Sequence, residues 1–145
     1  MAMVDHTGLC AADIDESLRF YRDGIGLTVL TDFTMDADLE PLLGRPTSHV
    51  RAIFLGSLDS PDAGALELLD LGDDEIRGQL RGSGTPHRGL FLLSFHVQVA
   101  EVLARLADLG LGGTPRTMPS PGGITATVVD PDGVTVELLS RPVPK

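Results

Sequence analysis

Hydrophobic and polar positions along this chain fall into short blocks, each with its own period. Residues 4–10 read as a short strand. Asp13 then stands as a helix N-cap with Glu16 three residues on, a capping-box pattern. Ile14, Leu18, Tyr21 and Ile25 follow at helical spacing, and Gly26 supplies the stop. Residues 27–35 are rich in Thr, Val, Leu and Phe and predict a strand. A loop with a short helical turn is expected over 36–44. Two further strands are expected over 50–56 and 65–71, joined by a segment of Ser, Asp, Pro and Gly. Residues 73–81 predict a short helix with an acidic start.

After a linker over 82–89 (GSGTPHRG) the same order begins again. Residues 90–97 predict a strand. Val99, Val102, Leu103, Leu106 and Leu109 mark a helix that stops at Gly110. Two β segments surround a turn at 119–123, and a hairpin over 124–140 turns at Asp130-Pro131-Asp132-Gly133, whose acids are expected to serve backbone geometry.

The recurrence points to an internal repeat. Ile25-Gly26-Leu27 answers Leu109-Gly110-Leu111, and Glu67-Leu68-Leu69 answers Glu137-Leu138-Leu139. The glycines are 84 residues apart and the glutamates 70, so the first copy carries 14 extra residues, for which 36–48 is the natural place. The organisation expected is a first module over 1–81, a linker over 82–89 and a second module over 90–145, forming one compact α+β domain of two βαβββ units. The two glutamates interrupt otherwise apolar strands. A carboxylate in such a setting is costly unless something pairs with it, so both become candidates for chemistry.

Composition narrows the classes. The 145 residues are 42% hydrophobic and 22% charged, an ordinary globular balance. A net charge of −10 disfavours nucleic acid and anionic membrane surfaces. No apolar run is long enough to span a bilayer, and the first residues show no signal-peptide pattern. The single cysteine, Cys10, excludes an internal disulfide, and the location expected by default is cytoplasmic. Trp is absent and aromatics are 4%, which disfavours a base-stacking platform.

Three stretches carry a resemblance. DHTGLCAADIDESLRFYRDGIGLTVL (residues 5–30), ALELLDL (65–71) and VVDPDGVTVELLS (128–140) together resemble the vicinal oxygen chelate superfamily, which includes glyoxalase I, bleomycin resistance proteins and extradiol dioxygenases. The resemblance implies two modules curled into a cupped mixed sheet, a homodimer, and a small-molecule substrate or ligand in the cup. It also implies a divalent metal (Zn, Ni, Mn or Fe) held by His6, Glu67 and Glu137, with Glu67 or Glu137 doubling as base. The fourth ligand position falls on residues 90–92, where Leu90, Phe91 and Leu92 offer no donor. Ser94 and His96 share a face with residue 92. His96 lies roughly 13 Å along the strand from it, at about 3.3 Å per residue, placing it as a substrate contact at the rim rather than a ligand. Arg51 reads either as an anion anchor or as part of a solvated face. His49 and His87 read as solvent-facing, Phe20 and Tyr21 as core, and Cys10 as a small core residue. Two functions remain open: a metal-dependent lyase, isomerase or epimerase of an oxygen-rich substrate, or a metal-free antibiotic-type binding protein. A ring-cleaving dioxygenase fits less well, because its site resembles two His with one carboxylate.

Overall fold

The structure, a computed structural model, describes residues 2–60, 63–72 and 84–140. The helix expected over 73–81 lies outside the described residues. The protein is α+β. The described residues hold two four-stranded mixed sheets with the same internal order, consistent with two tandem βαβββ modules.

The first sheet runs β1 (His6–Cys10), β4 (Ala65–Asp70), β3 (Val50–Gly56), β2 (Thr28–Met35). The second runs β5 (Leu92–Val97), β8 (Thr135–Ser140), β7 (Gly123–Val129), β6 (Gly112–Ser120). In each, the first strand pairs in parallel with the last, and the remaining pairs are antiparallel. The extra residues of the first copy sit where the repeat puts them. They form the β2–β3 connection, 36–49, which carries the short helix α2 (Glu40–Leu43); β6 and β7 are joined by Pro121 and Gly122 alone.

Packing divides the chain into two compact units. One holds the described residues up to Asp15 and from Leu27 to Gly72, and with them the first sheet. The other holds Glu16–Gly26 and the described residues from Gly84 onward, and with them the second sheet. In the first unit, strand alternation places Ile53, Leu55, Leu66 and Leu68 on one buried face of the sheet. Burying each such side chain contributes about 1.5–3 kcal/mol.

The second unit contains most of the first helix. Asp13 accepts a bond from the Asp15 N–H at 3.0 Å, as an N-cap does. From there α1 (Ile14–Leu18) runs on into a wider, π-type stretch (Arg19–Ile25). Phe20 and Tyr21, consecutive in sequence, are both fully buried, in keeping with their reading as core residues. Gly26 ends the helix at φ 97°, a left-handed conformation natural for glycine. The second helix, α3 (Val99–Asp108), buries Val99, Val102 and Leu106. The two helices cap each other. Arg19 donates to the Leu109 carbonyl at 3.0 Å, and Arg105 donates to the Gly24 carbonyl at 3.0 Å. Each guanidinium thereby meets the negative end of the other helix.

The Asp130–Gly133 turn is built as expected and does more than turn. Asp130 Oδ1 accepts from the N–H groups of Asp132 and Val134, at 2.9 and 2.8 Å. Its Oδ2 accepts the buried Tyr21 hydroxyl at 2.7 Å. The turn and the first helix, 109 residues apart in sequence, are thus joined by a buried bond. Burial raises the Asp130 carboxyl above its ordinary range, against the pull of these donors, and raises the Tyr21 phenol well above its own.

Candidate functional site

On the first sheet, register fixes which side chains share the face opposite the buried aliphatic one. Gly8 pairs with Glu67, Glu67 with Phe54, and Phe54 with Thr31. His6 lies two residues before Gly8 and Phe33 two after Thr31, so both point the same way. His6 Nε2 lies 3.6 Å from Glu67 Oε1. Its other nitrogen, Nδ1, lies 2.6 Å from Asp5 Oδ2. The Asp5 hydrogen bond raises the His6 pKa above 6.5, opposed by desolvation and assisted by the charge of Glu67. With Nδ1–H donated to Asp5, the remaining nitrogen is directed at Glu67. The His6 side chain is 38% exposed and that of Glu67 16%, so the pair lines an accessible surface without lying loose on it. Phe54 meets the imidazole edge-on with centroids 5.2 Å apart.

The second sheet repeats this geometry with other residues. Leu92 pairs with Thr135 and Ser94 with Glu137, as His6 pairs with Ala65 and Gly8 with Glu67. Leu92 is therefore the counterpart of His6, and Ser94 of Gly8. Ser94 donates its hydroxyl to Glu137 Oε1 at 2.7 Å, whereas a Cβ built on Gly8 would stand 3.5 Å from Glu67 Oε1, leaving that carboxylate approachable. His96 is exposed on the same face as Ser94, on the rung that Cys10 occupies in the first sheet. A groove of about 430 Å³ in this unit lies at the irregular start of β6, bordered by Gly112, Gly113, Arg116, Thr127 and Asp130; none of the six residues singled out from the sequence lines it.

The sequence-derived candidates thus separate. His6 and Glu67 are brought together, and so are Ser94 and Glu137. Arg51 is on the opposite face of its sheet from Glu67, three residues from Phe54 along β3. There it holds Asp32 through two bonds of 3.0 and 2.8 Å, which lower the Asp32 pKa. Both side chains of this ion pair are partly exposed. Cys10 is exposed, not a core residue: strand alternation puts it on the open face with His6. His49 and His87 are exposed as expected. Asp5, Phe54 and Phe33 were missed. Asp5 adjoins His6 in sequence, and the odd–even pattern of β2 and β3 could have put the two phenylalanines on one face.

The His6–Glu67 spacing suits two ligands of one divalent ion, since donors about 2.0–2.2 Å from a metal lie some 3–3.5 Å apart, and Asp5 supplies the outer hydrogen bond that ligating imidazoles have. Neither unit, among its described residues, gathers three His, Cys, Asp or Glu side chains for such a role.

A sequence model of the Glyoxalase/Bleomycin resistance protein/Dioxygenase superfamily matches residues 3–138. The chain belongs to this superfamily. A relative from Aspergillus terreus (strain NIH 2624 / FGSC A1156), described as lactoylglutathione lyase-like protein terB, is 37% identical over 96% of this chain and 75% of its own length. Among solved structures, the trypanothione-dependent glyoxalase I of Leishmania major aligns with 97% of this superfamily member and 87% of its own chain, at 23% identity and a TM-score of 0.67. The antibiotic-binding protein TnmS3 of Streptomyces sp. CB03234 aligns with 99% and 98%, at 23% identity and a TM-score of 0.60. At such identities the two structures speak for the fold. Their names cover both functions left open by the sequence.

Proposed function

We propose that this superfamily member is a metal-dependent lyase, isomerase or epimerase acting on a small oxygen-rich substrate, with His6 and Glu67 at its centre. The observation that carries this reading is the Asp5–His6–Glu67 arrangement: one nitrogen of the imidazole is tied to Asp5, and the other faces a carboxylate 3.6 Å away. His6 and Glu67 are proposed as the protein's metal ligands. A divalent metal, when bound, supplies Lewis-acid polarisation of a substrate oxygen. Glu67 is the base: it takes a proton from the carbon beside the substrate carbonyl and returns it to the neighbouring atom. The open space at Gly8 gives substrate access to it. Asp5 holds the imidazole orientation, and Phe54 shields its flank from water.

Metal content of tag-free protein, measured after exposure to Zn²⁺, Ni²⁺, Mn²⁺ and Fe²⁺ in turn, tests this. About one ion per chain is expected, with retention falling at least ~10-fold in Glu67→Gln. A wild-type protein that takes up none of the four ions would end the proposal. The second reading, a metal-free binding protein, is favoured by Leu92 on the rung of His6 and by the Ser94 hydroxyl already on Glu137. It expects ligand binding unchanged by a chelator.

A further inference from the structure

We infer that the groove at the start of β6 is a second binding site, for a small organic monocarboxylate held by Arg116. The inference is independent of the proposed function, since every residue it uses lies in the second unit. The β6–β7 ladder breaks here. Gly112 pairs with Val129 and the next rung is Arg116 with Thr127, so Gly113, Thr114 and Pro115 stand against Val128 alone. The extra residues of such a bulge are left unpaired with the neighbouring strand. Pro115 has no N–H, which leaves those of Gly113 and Thr114 off the rungs. Gly112 and Gly113 take φ 88° and 62°, a left-handed backbone that turns the chain away from the ladder. A Cβ on Gly113 would meet nothing within 4 Å, so the approach to this backbone is open. Main-chain N–H groups gathered in such conformations form concavities that favour anions.

Arg116 supplies the charge. It is exposed, and among the described residues it forms no ion pair, whereas Arg19, Arg22 and Arg51 each do. Its placement comes from shape. Arg116 Nη1 lies 2.6 Å, and its Cζ 3.8 Å, from where a Cβ on Gly84 would stand. The guanidinium therefore lies against the Gly84 backbone on the groove wall, a place that even an alanine at 84 would contest. Thr114 and Thr127 border the same space and bring hydroxyls to it. A charged side chain and a bulge also guard an edge strand against pairing with other chains. That role needs neither a cavity nor a guanidinium laid over a glycine. A guanidinium holds a carboxylate or a phosphate through two parallel bonds. Asp130 decides between them. Its carboxylate borders the groove, but its oxygens are taken up by the N–H groups of Asp132 and Val134 and by the Tyr21 hydroxyl, not by Arg116. Its negative charge, and the net −10 of the chain, penalise a dianionic phosphate more than a single carboxylate. The cavity of about 430 Å³ has the size of a small-molecule site, and Leu111, Val129 and Pro131 offer the ligand's body an apolar wall.

Amide NMR titration of the whole chain with hexanoate, hexyl phosphate and hexanol tests the inference, since the three share a carbon chain and differ in head group. Hexanoate is expected to shift the Gly113 and Thr114 amides saturably and to bind about tenfold more tightly than either of the others. Arg116→Gln is expected to lower hexanoate affinity about tenfold, and Arg116→Lys to lower it less. Arg88→Gln removes the same charge from another exposed position and is expected to leave the affinity unchanged. Gly84→Ala, whose Cβ contests the place of Nη1, is expected to weaken binding in a protein that circular dichroism shows to be folded. Glu67→Gln is expected to leave it unchanged. No saturable shift at Gly113 and Thr114, equal affinity for hexanol, tighter binding of hexyl phosphate, an affinity unaltered by Arg116→Gln, or an equal loss in Arg88→Gln overturns the inference. Loss of hexanoate binding in Glu67→Gln also overturns it, by assigning the carboxylate to the centre of the proposed function. Failure of metal uptake at His6 and Glu67 would remove the proposed function and leave this site standing.

Discussion

At the scale of single residues, the two rungs Gly8–Glu67 and Ser94–Glu137 form a natural comparison, because register makes them equivalent. One carboxylate is approachable and the other already accepts a hydroxyl at 2.7 Å. Gly8→Ser should convert the first into the second. The new Cβ has ordinary contacts, 3.5 Å to Glu67 Oε1 and 3.7 Å to Leu69 Cδ1, so stability should change by no more than about 0.5 kcal/mol. The hydroxyl would compete for Glu67, and metal or ligand affinity there should fall about tenfold, the worth of one hydrogen bond. An affinity unchanged in a folded Gly8→Ser protein would mean that Glu67 is not the working carboxylate. Asp5 has a separate signature. Its hydrogen bond is the main cause raising the His6 pKa. A raised histidine pKa stabilises the protein fully below the ordinary value, and that contribution is lost as pH rises through the folded value. The same shift delays the free imidazole that binds metal or takes a proton. Asp5→Asn should therefore lower the His6 titration midpoint, followed by NMR, and move the onset of metal uptake to lower pH. A midpoint that stays in place would show that Asp5 does not hold the ring.

At the scale of elements, the first helix and α3 approach closely at Gly24. A Cβ there would come within 2.4 Å of Leu106 Cδ2 and 3.3 Å of its Cγ. Leu106 is 1% exposed, so any shift of its side chain must displace packed neighbours. Gly→Ala in a helix ordinarily gains about 1 kcal/mol of propensity, while overpacking a filled core costs about 1–3 kcal/mol. Overpacking should win, so Gly24→Ala should lower the unfolding free energy by roughly 1–2 kcal/mol in denaturant titration. Leu106→Val removes the clashing methyl groups, so the double variant should lose less than the sum of the two single losses. Strict additivity would mean the helices are not in this contact. The helix itself was legible from the spacing of Ile14, Leu18, Tyr21 and Ile25 and from Gly26. Its closeness to α3 was not, because a glycine needed for close approach reads in sequence like any other poor helix former.

At the scale of the whole molecule, the order of elements along the chain and the matching places of the two glutamates followed from the repeat, since Glu67 and Glu137 interrupt apolar strands at equivalent positions. His6 and Glu67 met because parallel pairing of β1 with β4 brings the ends of the module together. Of the window 90–92 left by the sequence, strand register makes Leu92 the counterpart of His6. Arg51 was left undecided, because alternation with apolar neighbours gives a period and not a side. The grouping of Glu16–Gly26 with the second sheet was out of reach for a related reason: an amphipathic helix declares that one face is buried, not which sheet buries it. That grouping has a consequence. A fragment of residues 84–145 keeps β5–β8 and α3 but lacks Phe20, Tyr21 and Ile25, all buried within its unit. It also leaves Asp130 without the hydroxyl 2.7 Å from Oδ2. A buried carboxylate stripped of a donor costs about 1–3 kcal/mol, and three large apolar side chains remove several more, against a total stability of only 5–15 kcal/mol for a domain. The fragment should therefore show no cooperative thermal transition. A peptide of residues 12–27 added in trans should restore one, and the same peptide with Tyr21→Phe should bind about tenfold more weakly, reflecting the lost bond to Asp130. Cooperative folding of the fragment by itself would show that the second sheet does not need the first helix.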